Sequence, residues 1–125
     1  MRFHHTDKAP EAIGPYSQSV EVDGWLYTSG QVGLDPATGE LVPGGFEAQA
    51  RQTLKNLTSV LAAAGCTFAN VVKTSVFLTD FANFPTMNQL YAEAMGDHRP
   101  ARTTVQVSAL PKGGLVEIDL VARRS

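Results

Sequence analysis

Two side chains near the C-terminal end have the chemistry of a small-molecule site. If Thr103–Ser108 is extended, Thr103, Val105 and Val107 share one face, and Arg102, Thr104, Gln106 and Ser108 share the other. In the segment 115–122, Val116, Ile118, Leu120 and Ala122 form an apolar row, while Glu117 and Asp119 point the opposite way. With both apolar rows against the same helices, Arg102 and Glu117 lie together on the second sheet face. A guanidinium there is a planar fork for a carboxylate, and a glutamate beside it can accept or donate a proton. The plain alternative is a surface ion pair, worth about 0–1 kcal/mol.

Two further segments could complete such a site. Gly14-Pro15-Tyr16-Ser17-Gln18 sets a phenol just after a turn, and Thr28-Ser29-Gly30-Gln31 ends a strand with a hydroxyl and a glycine. Backbone N–H groups at such a strand end can be left free for a ligand oxygen. Structural roles compete here too: a satisfied core phenol for Tyr16, a local hydrogen bond for Ser29.

The elements that must position these groups follow from periodicity. Asp23-Gly24, flanked by Val20, Val22, Trp25 and Tyr27, predicts a hairpin of strands over 17–22 and 25–29. Five glycines and two prolines make 30–45 a loop. Phe46, Ala50, Leu54, Leu57, Leu61 and Ala64 recur at helical spacing, with Gln49, Arg51, Gln52, Lys55 and Ser59 on the wetter side and Gly65 as the stop. Residues 71–78 read as a buried strand. A second helix over 81–96 has Pro85 near its start and a stripe of Met87, Leu90, Tyr91 and Ala94. Strands over 103–108 and 115–122 follow, joined by Pro111-Lys112-Gly113-Gly114.

The order strand, strand, helix, strand, helix, strand, strand predicts an α+β fold, a mixed sheet with both helices on one face. No repeat or linker interrupts residues 1–125, so one domain is expected. The other sheet face then needs cover, which favours self-association. Only 18% of residues are charged, against roughly 25% in soluble domains, and this points the same way.

Composition also excludes several function classes. Ten basic against 12 acidic residues give a net charge of −2, without the basic field on which nucleic-acid affinity rests. The single Cys66 excludes an internal disulfide or a cysteine-based zinc cluster and is read as an inert small side chain. His4 and His5 are adjacent and would point to opposite strand faces, and His98 stands alone, so no metal site is expected. With no signal-like or membrane-length apolar run, a cytoplasmic location is expected.

Taken together, Ala12-Ile13-Gly14-Pro15-Tyr16-Ser17-Gln18, Thr28-Ser29-Gly30-Gln31, Pro100-Ala101-Arg102-Thr103, Leu110-Pro111 and Val116-Glu117-Ile118 resemble the Rid (YjgF) family along essentially the whole chain. The resemblance implies a chorismate-mutase-like subunit in a homotrimer whose sheets form a central barrel, with three sites in clefts between subunits. It implies hydrolysis of reactive 2-imino acids or enamines, such as 2-iminobutanoate and 2-iminopropanoate, to 2-keto acids and ammonia, without metal or organic cofactor. Carried over by motif, Arg102 binds the substrate carboxylate, Glu117 polarises the attacking water, and Tyr16, Ser29, Gly30 and Thr104 line the pocket. Thr104 stands where the deaminases of the family often have cysteine, which alters the pocket's shape and polarity. A non-catalytic trimeric binder of small carboxylates or a holdase is the alternative. RNA cleavage, linked to parts of the family, conflicts with the acidic balance.

Overall fold

The computed structural model describes all 125 residues. Seven strands form one sheet: β1 (Arg2–His4), β2 (Ser19–Val22), β3 (Trp25–Thr28), β4 (Gln31–Val32), β5 (Val71–Leu78), β6 (Ala101–Gln106) and β7 (Val116–Arg123). Their order is β1-β2-β3-β7-β5-β6, with β4 also paired to β7. Every pair is antiparallel except β5–β6, which are parallel. That exception follows from chain path, because α2 (Phe84–Met95) is the crossover between them. The mixed sheet and two helices agree with the expected fold class.

The predicted turns form for the expected reasons. Asp23 and Gly24 both take positive φ, at 52° and 83°, as a two-residue hairpin of type I′ requires. Helix α1 (Gly45–Ala63) ends where Gly65, at φ 74°, lets its own N–H bond Ala62 O and the Cys66 N–H bond Leu61 O. The second helix begins at Phe84, after a single helical turn over Phe81–Asn83 in which the Ala82 N–H donates to the Asp80 carboxylate and the Phe81 N–H to the Gln106 side chain.

An 18-residue hydrophobic cluster sits between the helices and one sheet face. It takes Ala50, Leu54, Leu57, Leu61 and Ala64 from the predicted stripe, Met87, Leu90 and Tyr91 from α2, and Val116, Ile118, Leu120 and Ala122 from β7. Burying such side chains contributes roughly 1.5–3 kcal/mol each. Polar residues share this buried layer, Asn56 and Gln49 among them. Asn56 donates to the carbonyls of Val32 and Leu34, and so ties the glycine-rich segment to α1. Gln49, expected on the wetter side, is buried because its amide oxygen accepts from the Leu115 N–H at 2.9 Å.

Three expectations change. Strand β1 carries a single apolar residue and β4 is two residues long inside the predicted loop, so neither has a periodic signal. The third concerns the site. Arg102, Thr104 and Gln106 pair with Thr74, Val76 and Leu78 of β5, all three buried beneath the helices. Glu117 pairs with Phe77, on the opposite face. The expectation that Arg102 and Glu117 share one face is therefore corrected. As an edge strand β6 has one neighbour, and the Arg102 guanidinium lies over Phe84 and Tyr91 on the helix side while Val105, 40% exposed, faces away. The open face also carries Phe3, Trp25 and Tyr27, each well exposed.

Candidate active site

A cavity of about 490 Å³ is bounded by the 10–18 segment, the β3–β4 turn, Pro111-Lys112 and β7. Tyr16, Ser29, Gly30 and Glu117 all line it, four of the six residues singled out in the sequence. Arg102 lines a separate hollow with Asn88, Tyr91, Arg99 and Pro100. Thr104 lies on the same side as Arg102, its hydroxyl shut from solvent and without a hydrogen-bond partner.

Glu117 is half-buried, and loss of hydration raises its proton affinity above the usual carboxylate range. The negative charge of Asp119, two residues on and on the same face, raises it further. Asp119 is itself raised by burial, against a smaller opposing effect of a hydrogen bond from Ser75. A carboxylate held in this way is a better base than one in water.

The close approach to Glu117 depends on Gly30. A Cβ there would stand 2.6 Å from the Glu117 Cδ and 2.9 Å from Oε2, so only glycine lets the main chain lie against the carboxyl group. Opposite it, the Tyr16 hydroxyl accepts from the Ile13 N–H at 3.2 Å, leaving its own proton available to a ligand. The Ser29 hydroxyl donates to the Ser17 carbonyl at 2.6 Å, so towards a ligand it can only accept. Tyr16 is exposed rather than a core residue, while Ser29 does make the local bond anticipated for it.

Residues not singled out earlier build the walls. Gln18 is buried; its amide donates to the carbonyls of Thr6 and Pro10 and accepts from the Thr6 N–H. This clamp holds the 6–10 segment at the cavity edge. Its place at the end of the Gly14-Pro15-Tyr16-Ser17-Gln18 motif is the sequence signal for it. Lys112 supplies a cation at the cavity wall, at φ 60° and bonded to the Gly39 carbonyl. On the far side, Arg102 donates to Asn88 at 2.7 Å and stacks over Tyr91 at 4.8 Å from the ring centroid.

The three histidines are engaged elsewhere. His4 meets Glu21, which also binds Arg124; these two partners hold the Glu21 carboxyl down to about 2. His98 bonds the Val71 carbonyl. The donor atoms of His5, Asp7 and Glu11 lie within 4.8 Å of one another, all exposed, and the contacts of the His5 ring with Glu11 at 3.1 Å and Asp7 at 3.7 Å account for the cluster.

Comparison with known proteins accounts for this arrangement. The model of a family described as Endoribonuclease L-PSP, also called Rid or YjgF, matches residues 6–124. The chain belongs to the Rid family. It is 56% identical over 117 residues to a mouse protein, covering 94% of this chain and 87% of the relative. A human relative is 54% identical over 121 residues, covering 97% and 88%. Both are named 2-iminobutanoate/2-iminopropanoate deaminase. Among solved structures, RidA from an Antarctic Psychrobacter superposes with a TM-score of 0.95 at 46% identity, over 98% of this chain and 99% of that one. Escherichia coli TdcF with bound serine superposes with a TM-score of 0.94 at 38% identity, over the whole of both chains. In this chain the cavity on β7 and the arginine on β6 stand at opposite faces of the sheet.

Proposed function

We propose that the protein is a 2-iminobutanoate/2-iminopropanoate deaminase, active as a single Rid domain in a cytoplasmic homotrimer. The observation that carries this reading is the half-buried Glu117 carboxyl lying against the Gly30 backbone in a cavity of small-molecule size. The names of the mouse and human relatives supply the substrate class. The serine in TdcF is a carboxylate-bearing ligand of similar size.

A protonated 2-imino acid is already electrophilic at carbon, so no covalent nucleophile, metal or organic cofactor is invoked. Glu117 takes a proton from a water whose oxygen bonds the imine carbon, giving a carbinolamine. Return of that proton to nitrogen allows the C–N bond to break while the carbinol O–H gives its proton to Glu117, which passes it to the departing ammonia, so that the 2-keto acid and ammonium leave. Arg102 holds the substrate carboxylate and so fixes the carbon relative to the water. Because Arg102 and Glu117 project from opposite faces of the sheet, the reading has Arg102 of one subunit meeting the Glu117 cavity of the next. The exposed apolar row of Phe3, Trp25, Tyr27 and Val105 supports burial of that face in an assembly.

RNA cleavage, suggested by the family description, is not favoured by a net charge of −2 and a cavity of about 490 Å³. The deciding experiment adds the protein to a threonine dehydratase reaction where spontaneous imine hydrolysis is slow. Faster 2-oxobutanoate formation is expected. In the Arg102→Ala protein, about 2–5 kcal/mol of transition-state binding should be lost. No acceleration by the wild type refutes the reading, and calorimetric binding of 2-oxobutanoate without turnover would establish the non-catalytic binder instead.

A further inference from the structure

Arg102 is the arginine whose side chain is held by a side-chain amide, whereas Arg99 and Arg123 donate to main-chain carbonyls. Arg51 and Arg124 each meet a carboxylate. Arg102 instead donates to the neutral amide oxygen of Asn88 at 2.7 Å. Its guanidinium stacks 4.8 Å from the centroid of Tyr91 and 5.6 Å from that of Phe84. Phe84, Asn88 and Tyr91 stand at i, i+4 and i+7 on α2 and therefore form one stripe facing β6. Tyr91 is in turn fixed, its hydroxyl 2.8 Å from the Thr74 hydroxyl in the core. The guanidinium thus has one N–H group tied, an aromatic ring beneath its carbon, and no carboxylate partner.

Those facts separate two effects that an acidic partner would combine. A carboxylate at position 88 would aim the arginine equally well but would cancel the field that attracts an anion. We propose that Asn88 is a positioning residue that orients Arg102 while leaving its charge free, and so sets the affinity of the site for a carboxylate-bearing substrate. This inference rests on the assignment of Arg102 to the substrate carboxylate.

The test compares wild type, Asn88→Asp and Asn88→Ala as full chains. Calorimetry measures binding of 2-oxobutanoate and of its neutral analogue 2-oxobutanamide, alongside dehydratase-coupled turnover and thermal melting. Asn88→Asp keeps the shape and the hydrogen bond. It is expected to weaken 2-oxobutanoate binding by about tenfold or more, while 2-oxobutanamide affinity and the melting temperature hold. Asn88→Ala, which loses aim but not charge, should weaken 2-oxobutanoate binding by less than Asn88→Asp. Unchanged 2-oxobutanoate binding in Asn88→Asp overturns the proposal, and so does an equal loss for both ligands, which would mark a merely structural role. The outcome is separable from the deaminase reading. A wild type that binds 2-oxobutanoate in an Asn88-dependent way without turnover sinks the deaminase and keeps this inference. Turnover and binding untouched in Asn88→Asp do the reverse.

Discussion

Replacing Gly30 by alanine should damage catalysis far more than folding. The new Cβ would stand 2.6 Å from the Glu117 Cδ, whereas carbon atoms in contact sit about 3.5 Å apart or more. The carboxyl group must therefore retreat by about 1 Å. What it meets is the tip of a flexible side chain rather than main chain, so the folding cost lies at or below the lower end of the roughly 1–3 kcal/mol typical of overpacking. A reacting group misplaced by about 1 Å loses on the order of 100-fold in rate, or about 2.7 kcal/mol. Dehydratase-coupled kcat/KM should fall by that factor while the thermal midpoint drops only a few degrees. In the double variant Gly30→Ala with Glu117→Ala, the three side-chain atoms that the new Cβ would meet are gone, so the midpoint should recover while the rate does not. Gly33→Ala is the counter-example: its Cβ would lie 2.6 Å from the Gln49 carbonyl oxygen and 2.7 Å from its Cα, both main chain. That variant should lose stability first. Wild-type kcat/KM in Gly30→Ala would refute the placement of Glu117 as the base.

Two further outcomes concern pH. Glu117 must be ionised to take a proton from water, and burial followed by the Asp119 charge raises its pKa, so the acidic limb of kcat/KM should lie above the usual carboxylate range. Asp119→Asn should move that limb to lower pH, leaving the part due to burial, and a pH–rate profile with no such movement contradicts the coupling. Glu21 is the opposite case: its folded-state pKa is lowered to about 2 by Arg124 and His4, so it stabilises the fold at neutral pH and that contribution fades as the pH falls from its ordinary value of 4.5 towards 2. Thermal melts of Glu21→Gln should be flatter across that window than those of the wild type.

How much was legible in the sequence follows from how each residue is satisfied. The α1 stripe, the Asp23-Gly24 turn and the β7 row could be read because burial of one face imposes a period on many residues at once. Strand β4 has two residues and the β1 segment has one apolar side chain, so pairing rather than pattern defines them. The misread face of β6 has a specific cause. Val105 and Val107 look like the buried row, but Val107 lies beyond the strand, and the helix side of β6 carries Arg102 with its guanidinium over Tyr91. Alternation reports which residues share a face, not which face is inside. Of the site, Glu117, Tyr16, Ser29 and Gly30 were found through motifs that the cavity brings together. Gln18 was read only as the end of a motif and Asn88 not at all, because a side-chain amide declares its role only through partners distant in the chain.

The most direct test of a site shared between subunits is complementation. Arg102→Ala and Glu117→Ala proteins, each nearly inactive alone, are unfolded together, refolded in equal amounts and assayed with the dehydratase. If Arg102 of one subunit serves the Glu117 of its neighbour in a cyclic assembly, random mixing restores both residues at about a quarter of the sites. About a quarter of wild-type activity is therefore predicted. A mixture no more active than its two parents would contradict the account.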